Sequence, residues 1–402
     1  MKFGALLAAA AMVALGAGEA VAQSGGPVKI GVLNDMSSLY ADIAGPGSVV
    51  AARMAVEDLG GKALGQPVEI ISGDHQNKPD VGAAIARQWY DQDGVDLITD
   101  VPTSSVALAI EEVSREKKKI VLYSGSASSD ITGSKCSPYA AHWTYDTYAL
   151  AHGTGSAVVK NGGDTWFFLT ADYAFGHALE NDTAAVVKAS GGKVLGSVNV
   201  PLNTSDFSSF LLQAQSSKAK IIGLANAGGD TINSIKQAAE FGIVEGGQKL
   251  AGLLVFISDV HSLGLKTAQG LQFTEAFYWD QNDQTRAFAK RFFEKQKRMP
   301  TMAQAGVYSA VHHYVQAVQA LNSKDPDKVM AKMRATPIND FMTKNGTLRI
   351  DGRVLRDMYL FEVKKPSESK AEWDYYKQLQ VIPADQAFRP LDQGGCPLVK
   401  KS

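Results

Sequence analysis

From Val28 onward, short apolar runs alternate with longer amphipathic ones. VKIGVL (28–33), VEIISG (68–73), VDLIT (95–99) and KIVLYSG (119–125) are compact and rich in β-branched residues, and read as strands. Helical patterns lie between them: Val49–Leu59, stopped by Gly60-Gly61, a segment opened by Pro79, and SVALAIEEVSREKKK (105–119). Proline suits the first turn of a helix, and in the third segment Glu111 and Glu112 precede the lysines, in keeping with the helix dipole. The same rhythm restarts with strands at TWFFLT (165–170), KVLGSVNV (193–200), IIGLAN (221–226) and LLVFIS (253–258). Helices are predicted over 178–189, Phe207–Ser217 and Thr231–Phe241, and again over 285–299 and 305–321. LRIDGRVLRDMYLFEVKK (348–365) reads as a hairpin turning at Asp351-Gly352. Two successive α/β units predict two similar lobes, each a parallel sheet covered by helices on both faces.

The first 22 residues stand outside that rhythm. Lys2 is followed by small apolar residues over 3–18, and Ala20-Val21-Ala22 gives a small-x-small cleavage pattern. This predicts a signal peptide cut after Ala22 and a periplasmic protein; the alternative is an N-terminal anchor helix, for which the run is short and poor in large apolar residues. Export gives weight to the two cysteines, Cys136 and Cys396. An even count in an oxidising compartment predicts one bridge. Two buried thiols or a metal site are the alternatives, and neither cysteine has C-x-x-C or nearby histidine spacing.

The chain has 402 residues, enough for two domains, with 40 basic and 41 acidic side chains and a net charge of −1. Near-neutrality argues against a nucleic-acid or anionic-membrane binder. Cleavage removes Lys2 and Glu19, one of each sign, so the balance holds. G-x-S-x-G, H-E-x-x-H, P-loop and G-x-G-x-x-G patterns are absent. His312-His313 point about 100° apart on a helix and cannot share a metal. No cofactor or metal is expected. Gly153-Thr154-Gly155 follows no phosphate-binding strand and is a weak signal.

The loops that follow the strands carry the candidate chemistry. Ser104 and Ser105 end one strand and open a helix, and Ser124–Ser129 repeats the arrangement after the next strand. Hydroxyls and unpaired helix N–H groups there either cap helices or hold a ligand carboxylate without a formal cation. Such clefts lie at the C-terminal ends of parallel strands. The second unit offers Asp172-Tyr173-Ala174-Phe175-Gly176, Asn226-Ala227-Gly228-Gly229-Asp230, and Asp259 after LLVFIS. Tyr173 and Phe175 could equally be core, and Asp230 a helix cap. Aromatics beside polar anchors suit a small amphipathic molecule.

These blocks resemble the periplasmic solute-binding proteins of branched-chain amino-acid-type ABC importers, leucine-binding-like proteins of the type I periplasmic binding fold. The resemblance is carried by VKIGVLNDMSSLYADIAGPGSVVAARMAVEDLGG, VDLITDVPTSSVALAI with KKIVLYSGSASSDIT, and DTWFFLTADYAFGHALENDT, and spans 28–365. It implies two Rossmann-like lobes closing on ligand about three crossovers, near Trp143–Asp146, Glu275–Tyr278 and Arg353–Asp357. The first lobe would then be 23–143 plus 278–353, the second 144–277 plus 354–390, and 391–402 a tail. Thr103, Ser104 and Ser105 match the loop that holds the ligand carboxylate, and Gly125, Ser126 and Ala127 match a second such loop. Phe175 falls where the family places an aromatic over the ligand; Tyr40, in the Ser-rich opening block, joins the candidate set with Tyr173 and Asn226. The family's amino-acid binders carry a Glu that pairs with the ligand ammonium. Here the matching stretch is Phe256-Ile257-Ser258-Asp259, with Asp259 the one acid placed to substitute, and Ala127 stands where a Thr would assist.

The sequence therefore predicts a monomeric binding protein that delivers a small carboxylate, an amino acid or a related or aromatic acid, to a membrane permease. A subunit presenting ligand to a membrane receptor is the alternative, followed by a secreted α/β enzyme, for which no nucleophile–base spacing is present.

Overall fold

The computed structural model describes residues 26–400; the predicted signal peptide and its cleavage site lie outside the described residues. Strands β1 (Lys29–Asn34), β2 (Glu69–Asp74), β3 (Leu97–Asp100), β4 (Ile120–Tyr123) and β5 (Ala140–His142) form one parallel sheet in the order β2-β1-β3-β4-β5. β3 and β4 are buried at every position, because a parallel strand between two helical layers has no wet face. Helices α1 (Gly45–Asp58), α2 (Pro79–Asp91) and α3 (Ser104–Lys117) connect these strands.

A second parallel sheet, β9-β8-β6-β7, is built from β6 (Thr165–Ala171), β7 (Lys193–Val200), β8 (Ile221–Ala225) and β9 (Lys249–Gly252). Its helices include α4 (Ala174–Ala189), α5 (Gly229–Glu240) and α6 (Ile257–Leu263). β10 (Gln272–Glu275), β11 (Met358–Val363) and β12 (Tyr376–Ile382) add a small antiparallel sheet whose Phe273, Phe361 and Tyr376 join the core of the second unit. Between β10 and β11 the chain returns to the first unit, where α7 (Met302–Leu321) packs against α1.

Three passages thus link the two sheets, and two of them lie side by side. His142 donates its N–H to the Gly352 carbonyl at 2.8 Å, and the Arg353 guanidinium donates to the Tyr145 carbonyl at 2.9 Å and to Asp146 at 3.3 Å. Arg353 is fully buried, with its guanidinium 4.7 Å over the Phe388 ring, and burial lowers its pKa to about 10. Cys136 is bonded to Cys396 with a Cα–Cα distance of 5.6 Å, which ties the C-terminal tail to the loop before β5.

Several sequence expectations need correction. LLVFIS is not a strand: ladder pairing in β9 ends at Gly252, which pairs with Leu224, and the chain beyond it runs into α6 from Ile257. Residues 253–256 are buried by side-chain packing rather than by ladder bonds, which an apolar run alone does not distinguish. The hairpin at 348–365 is confined to Thr347–Leu348 against Val354–Leu355, and the rest of that run is β11, held by β10 and β12. The first helix starts at Gly45 rather than Val49, with Pro46 in its first turn. Among the described residues no helix is long and apolar enough to cross a membrane.

Candidate functional site

The C-terminal ends of β3 and β4 face those of β6 and β8 across the gap between the lobes. At the end of β3, Val101-Pro102-Thr103 turns into α3, whose N-cap residue is Thr103. Its hydroxyl pairs with Asn77 Oδ1 instead of capping the helix. Ser104 is fully buried and its Oγ accepts from the backbone N–H groups of Ala127 (3.3 Å) and Ser128 (3.1 Å). Ser126 donates its hydroxyl to the Val101 carbonyl. The two serine loops are therefore tied into one unit. Tyr145, on the first passage between the lobes, donates to the Gly125 carbonyl at 2.6 Å and holds that unit from below.

The gap is closed. Tyr40 from the loop after β1 and Tyr173 from the loop after β6 share a hydrogen bond of 2.6 Å across it. Ser129 donates to Asp182 of α4 at 2.9 Å. Gly228, at the start of α5, lies so near the opposite loop that a β-carbon there would sit 2.8 Å from the Leu39 carbonyl oxygen and 3.1 Å from the Tyr40 ring. Its φ of +57° is also a conformation that favours glycine.

Between these contacts is a small, tightly lined cavity with about 10 Å³ of free space. Tyr40, Ile43, Pro102, Gly125, Ala127 and Tyr145 line it from one side and Tyr173, Phe175, Ala227, Leu254 and Phe256 from the other. The aromatic rings pack on one another: Tyr173 and Phe175 are 5.8 Å apart, and Tyr145 meets Phe256 edge-on at 6.2 Å. No lining side chain carries a charge. Burial raises the Tyr40 phenol well above its usual range, and the nearby Tyr173 adds to this. Tyr173 is likewise raised by burial, so both stay protonated and can donate. Larger clefts, such as that beside His312 and Lys344 or that at Gly162–Gly163 and Lys220, lie away from the strand ends.

Of the residues singled out from sequence, Tyr40, Gly125, Ala127, Tyr173 and Phe175 meet at the cavity. Thr103, Ser104 and Ser126 sit just behind its wall, tying the loops, and Ser105 lies partly exposed on the first turn of α3. Asn226 is turned into the second lobe, accepting from Thr231 at 2.7 Å and donating to Ser234 at 3.4 Å. Asp259 is buried behind Phe256, and its Oδ2 accepts the Phe256 backbone N–H at 2.9 Å. Burial pushes its pKa up to about 7. Asp230 accepts from the Asn203 and Thr204 N–H groups at 3.1 and 3.0 Å, and burial raises it to about 6.

The wall residues Ile43, Pro102, Tyr145, Ala227, Leu254 and Phe256 were not singled out. Leu254 and Phe256 lie in the run taken for a core strand, and Tyr145 in the first crossover, so their apolar character carried no sign of a ligand. Among the described residues, no group of three or more His, Cys, Asp or Glu is placed to hold a metal. The lining groups are apolar side chains and three phenols, and they include no nucleophile paired with a base.

A family profile described as periplasmic binding protein matches residues 27–370. A Leu/Ile/Val-binding protein homolog of Brucella melitensis is 23% identical over 368 residues, covering 88% of this chain and 91% of that protein. The crystal structure of a periplasmic binding protein from Burkholderia mallei superposes with a TM-score of 0.92 at 56% identity, over 93% of this chain and 99% of that one. A branched-chain amino acid ABC transporter periplasmic ligand-binding protein from Burkholderia xenovorans gives 0.82 at 45% identity, over 92% and 99%. A solute-binding protein of an ABC transporter from Rhodopseudomonas palustris, solved in complex with benzoate, shares the fold at 20% identity and a TM-score of 0.81, over 92% and 100%. With the profile spanning most of the chain, on a fold of two parallel-sheet lobes closed over an aromatic cavity, this protein belongs to the periplasmic binding protein family.

Proposed function

We propose that this protein captures a small aromatic carboxylic acid in the periplasm and delivers it, by opening and closing of the two lobes, to the permease of an ABC importer. It acts as a monomer and without catalysis. The observation that carries the ligand class is the uncharged aromatic cavity, with Asp259 turned away from it onto the Phe256 N–H. An α-amino acid would bring an ammonium group with no anionic partner. A charge-assisted hydrogen bond contributes roughly 1.5–3 kcal/mol, about one to two decades in affinity, and an unmatched buried cation loses at least that. An aromatic acid meets no such cost. Its ring would lie among Tyr40, Tyr145, Tyr173, Phe175 and Phe256. Its carboxylate would lie at the Gly125–Ala127 loop and take the phenol hydroxyl that the Tyr40–Tyr173 bond leaves free, near the N-terminus of α3. The Rhodopseudomonas protein in complex with benzoate has the same fold.

The second reading, a branched-chain amino acid, is favoured by the description of the Burkholderia xenovorans relative. It requires Asp259 to release the Phe256 N–H and face the cavity. Calorimetric titration with benzoate, 4-hydroxybenzoate, L-phenylalanine and L-leucine decides between them. We expect the acids to bind at least tenfold more tightly than the amino acids. Tighter binding of either amino acid overturns the reading.

A further inference from the structure

We propose that Asp100 is a positioning residue beneath the carboxylate end of the cavity, and that an ionised Asp100 opposes the ligand while a neutral one admits it. The inference rests on the proposal that the ligand bears a carboxylate without a matching cation. Asp100 ends β3 and is fully buried. Its φ is +83° and that of Val101 is +49°, two successive non-glycine residues in the left-handed region, which is rarest for a β-branched side chain. This turn aims the chain into Pro102 and α3. The Asp100 carbonyl accepts the N–H groups of Ser124 (3.2 Å) and Gly125 (3.3 Å), so it holds the second loop against the first.

The side chain is placed as tightly. Oδ2 accepts from Asn34 Nδ2 at 2.9 Å, and the same amide donates to the Gly45 carbonyl at 3.1 Å. Oδ1 has no hydrogen-bond partner. It lies 3.0 Å from the point where a β-carbon on Gly125 would sit, with Pro102 Cα 2.8 Å from that point. Gly125 and Pro102 both line the cavity. Only the thickness of that wall separates the unpartnered oxygen from the carboxylate end of the site, and any side chain at position 125 would displace it.

Nothing facing Asp100 supplies a compensating charge. β1 brings Asn34, and the neighbouring Asp35 is engaged by Ser38, the Tyr40 N–H and Asn77. The Ser48 hydroxyl of α1 faces the carboxyl without closing a bond to it. β4 pairs Tyr123 opposite it, and the lobe passage brings the buried Tyr145 phenol. α7 packs on β3 with no charged residue over 302–311, and α3 has none before Glu111. Burial raises the Asp100 carboxyl to about 6, with the nearby Ser48 hydroxyl and the Asn34 amide opposing. A bound anion behind Gly125 raises it further, so acid binding takes up a proton at neutral pH.

Titrating benzoate calorimetrically from pH 5.5 to 8.0, in two buffers of different ionisation enthalpy, tests this. Benzoate is ionised throughout that range, as an ordinary carboxylate is. The expected result is a Kd that rises about tenfold across the range, with uptake of up to one proton, while uncharged benzamide shows no such trend. Asp100→Asn keeps an acceptor for Asn34, tolerates positive φ, and holds the acid-side affinity at every pH. Asp100→Gly, suited to the same backbone, serves if the Asn variant does not fold. A benzoate Kd independent of pH, a benzamide slope equal to that of benzoate, or a variant that keeps the native slope overturns the proposal. If benzoate fails to bind and an amino acid binds instead, the ligand class is wrong. The same pH series with that amino acid, whose carboxylate takes the same loops, then decides the role of Asp100.

Discussion

Asp259→Asn isolates what the buried carboxyl behind Phe256 does. In the folded protein burial pushes this acid from its ordinary 3.8 to about 7. A group whose folded-state pKa is raised binds its proton more tightly when folded. Its contribution is therefore fully present below about pH 4 and is lost as pH rises towards 7. Three pKa units at about 1.4 kcal/mol each make the loss about 4 kcal/mol by pH 8. Asn at this position still offers an oxygen to the Phe256 N–H, 2.9 Å away in the native protein, but carries no charge to bury. The variant should thus gain on the native protein as pH rises, by about 3 kcal/mol between pH 5 and pH 8. Because only the change with pH is compared, any constant difference in hydrogen-bond strength drops out. Urea unfolding of both proteins at the two pH values, followed by tryptophan fluorescence, measures it. A stability difference that stays constant, or that moves against the variant at pH 8, refutes the reasoning. It would mean that Asp259 is ionised and compensated at pH 8, by a cation or by water.

Two further outcomes follow from contacts already described. Replacing Cys136 and Cys396 with serine should cost about 2–5 kcal/mol and expose the chain after Phe388 to proteolysis, read by urea midpoints and limited digestion; equal midpoints and an uncut tail in the variant count against it. Gly228→Ala places a β-carbon 2.8 Å from the Leu39 carbonyl oxygen across the gap, so ligand affinity should fall about tenfold or more and small-angle scattering should show no contraction at saturation; a variant that contracts with native affinity shows that the lobes do not meet there.

Much of the fold was legible because parallel strands leave a strong mark. β4 is buried throughout and β7 alternates with its exposed face, and both patterns are written in IVLY and KVLGSVNV. The short strands at Ala140–His142 and Gln272–Glu275, and β12, were not legible. β5 is only three residues long, β10 is held by β11 far away in sequence, and β12 carries polar residues exposed at the sheet edge. The two serine loops stood out because they follow consecutive parallel strands, and the structure brings Gly125 and Ala127 of the second loop to the cavity. Which hydroxyls face the cavity could not be read: Ser104 spends its oxygen on Ala127 and Ser128, and Thr103 pairs with Asn77.

The hardest residues to read were those whose burial has two possible causes. Phe256 is 1% exposed and Leu254 3%, values indistinguishable from a core strand, yet both wall the cavity. Hydrophobic pattern reports that water is excluded, not what excludes it. Asp259 poses the same problem for charge. An acid directly after a strand-like run can cap the next helix or meet a ligand cation, and both uses need a carboxyl at the same place in the chain. The difference lies in the backbone. The ladder of β9 stops at Gly252, and α6 begins at Ile257 with a phenylalanine in the N-cap position, a side chain that can accept nothing. The unpaired Phe256 N–H at that helix start draws the Asp259 carboxyl back onto the chain. The end of one ladder therefore governs where the Asp259 carboxyl is held: the helix that starts at Ile257 leaves the Phe256 N–H unpaired, and that N–H engages Asp259.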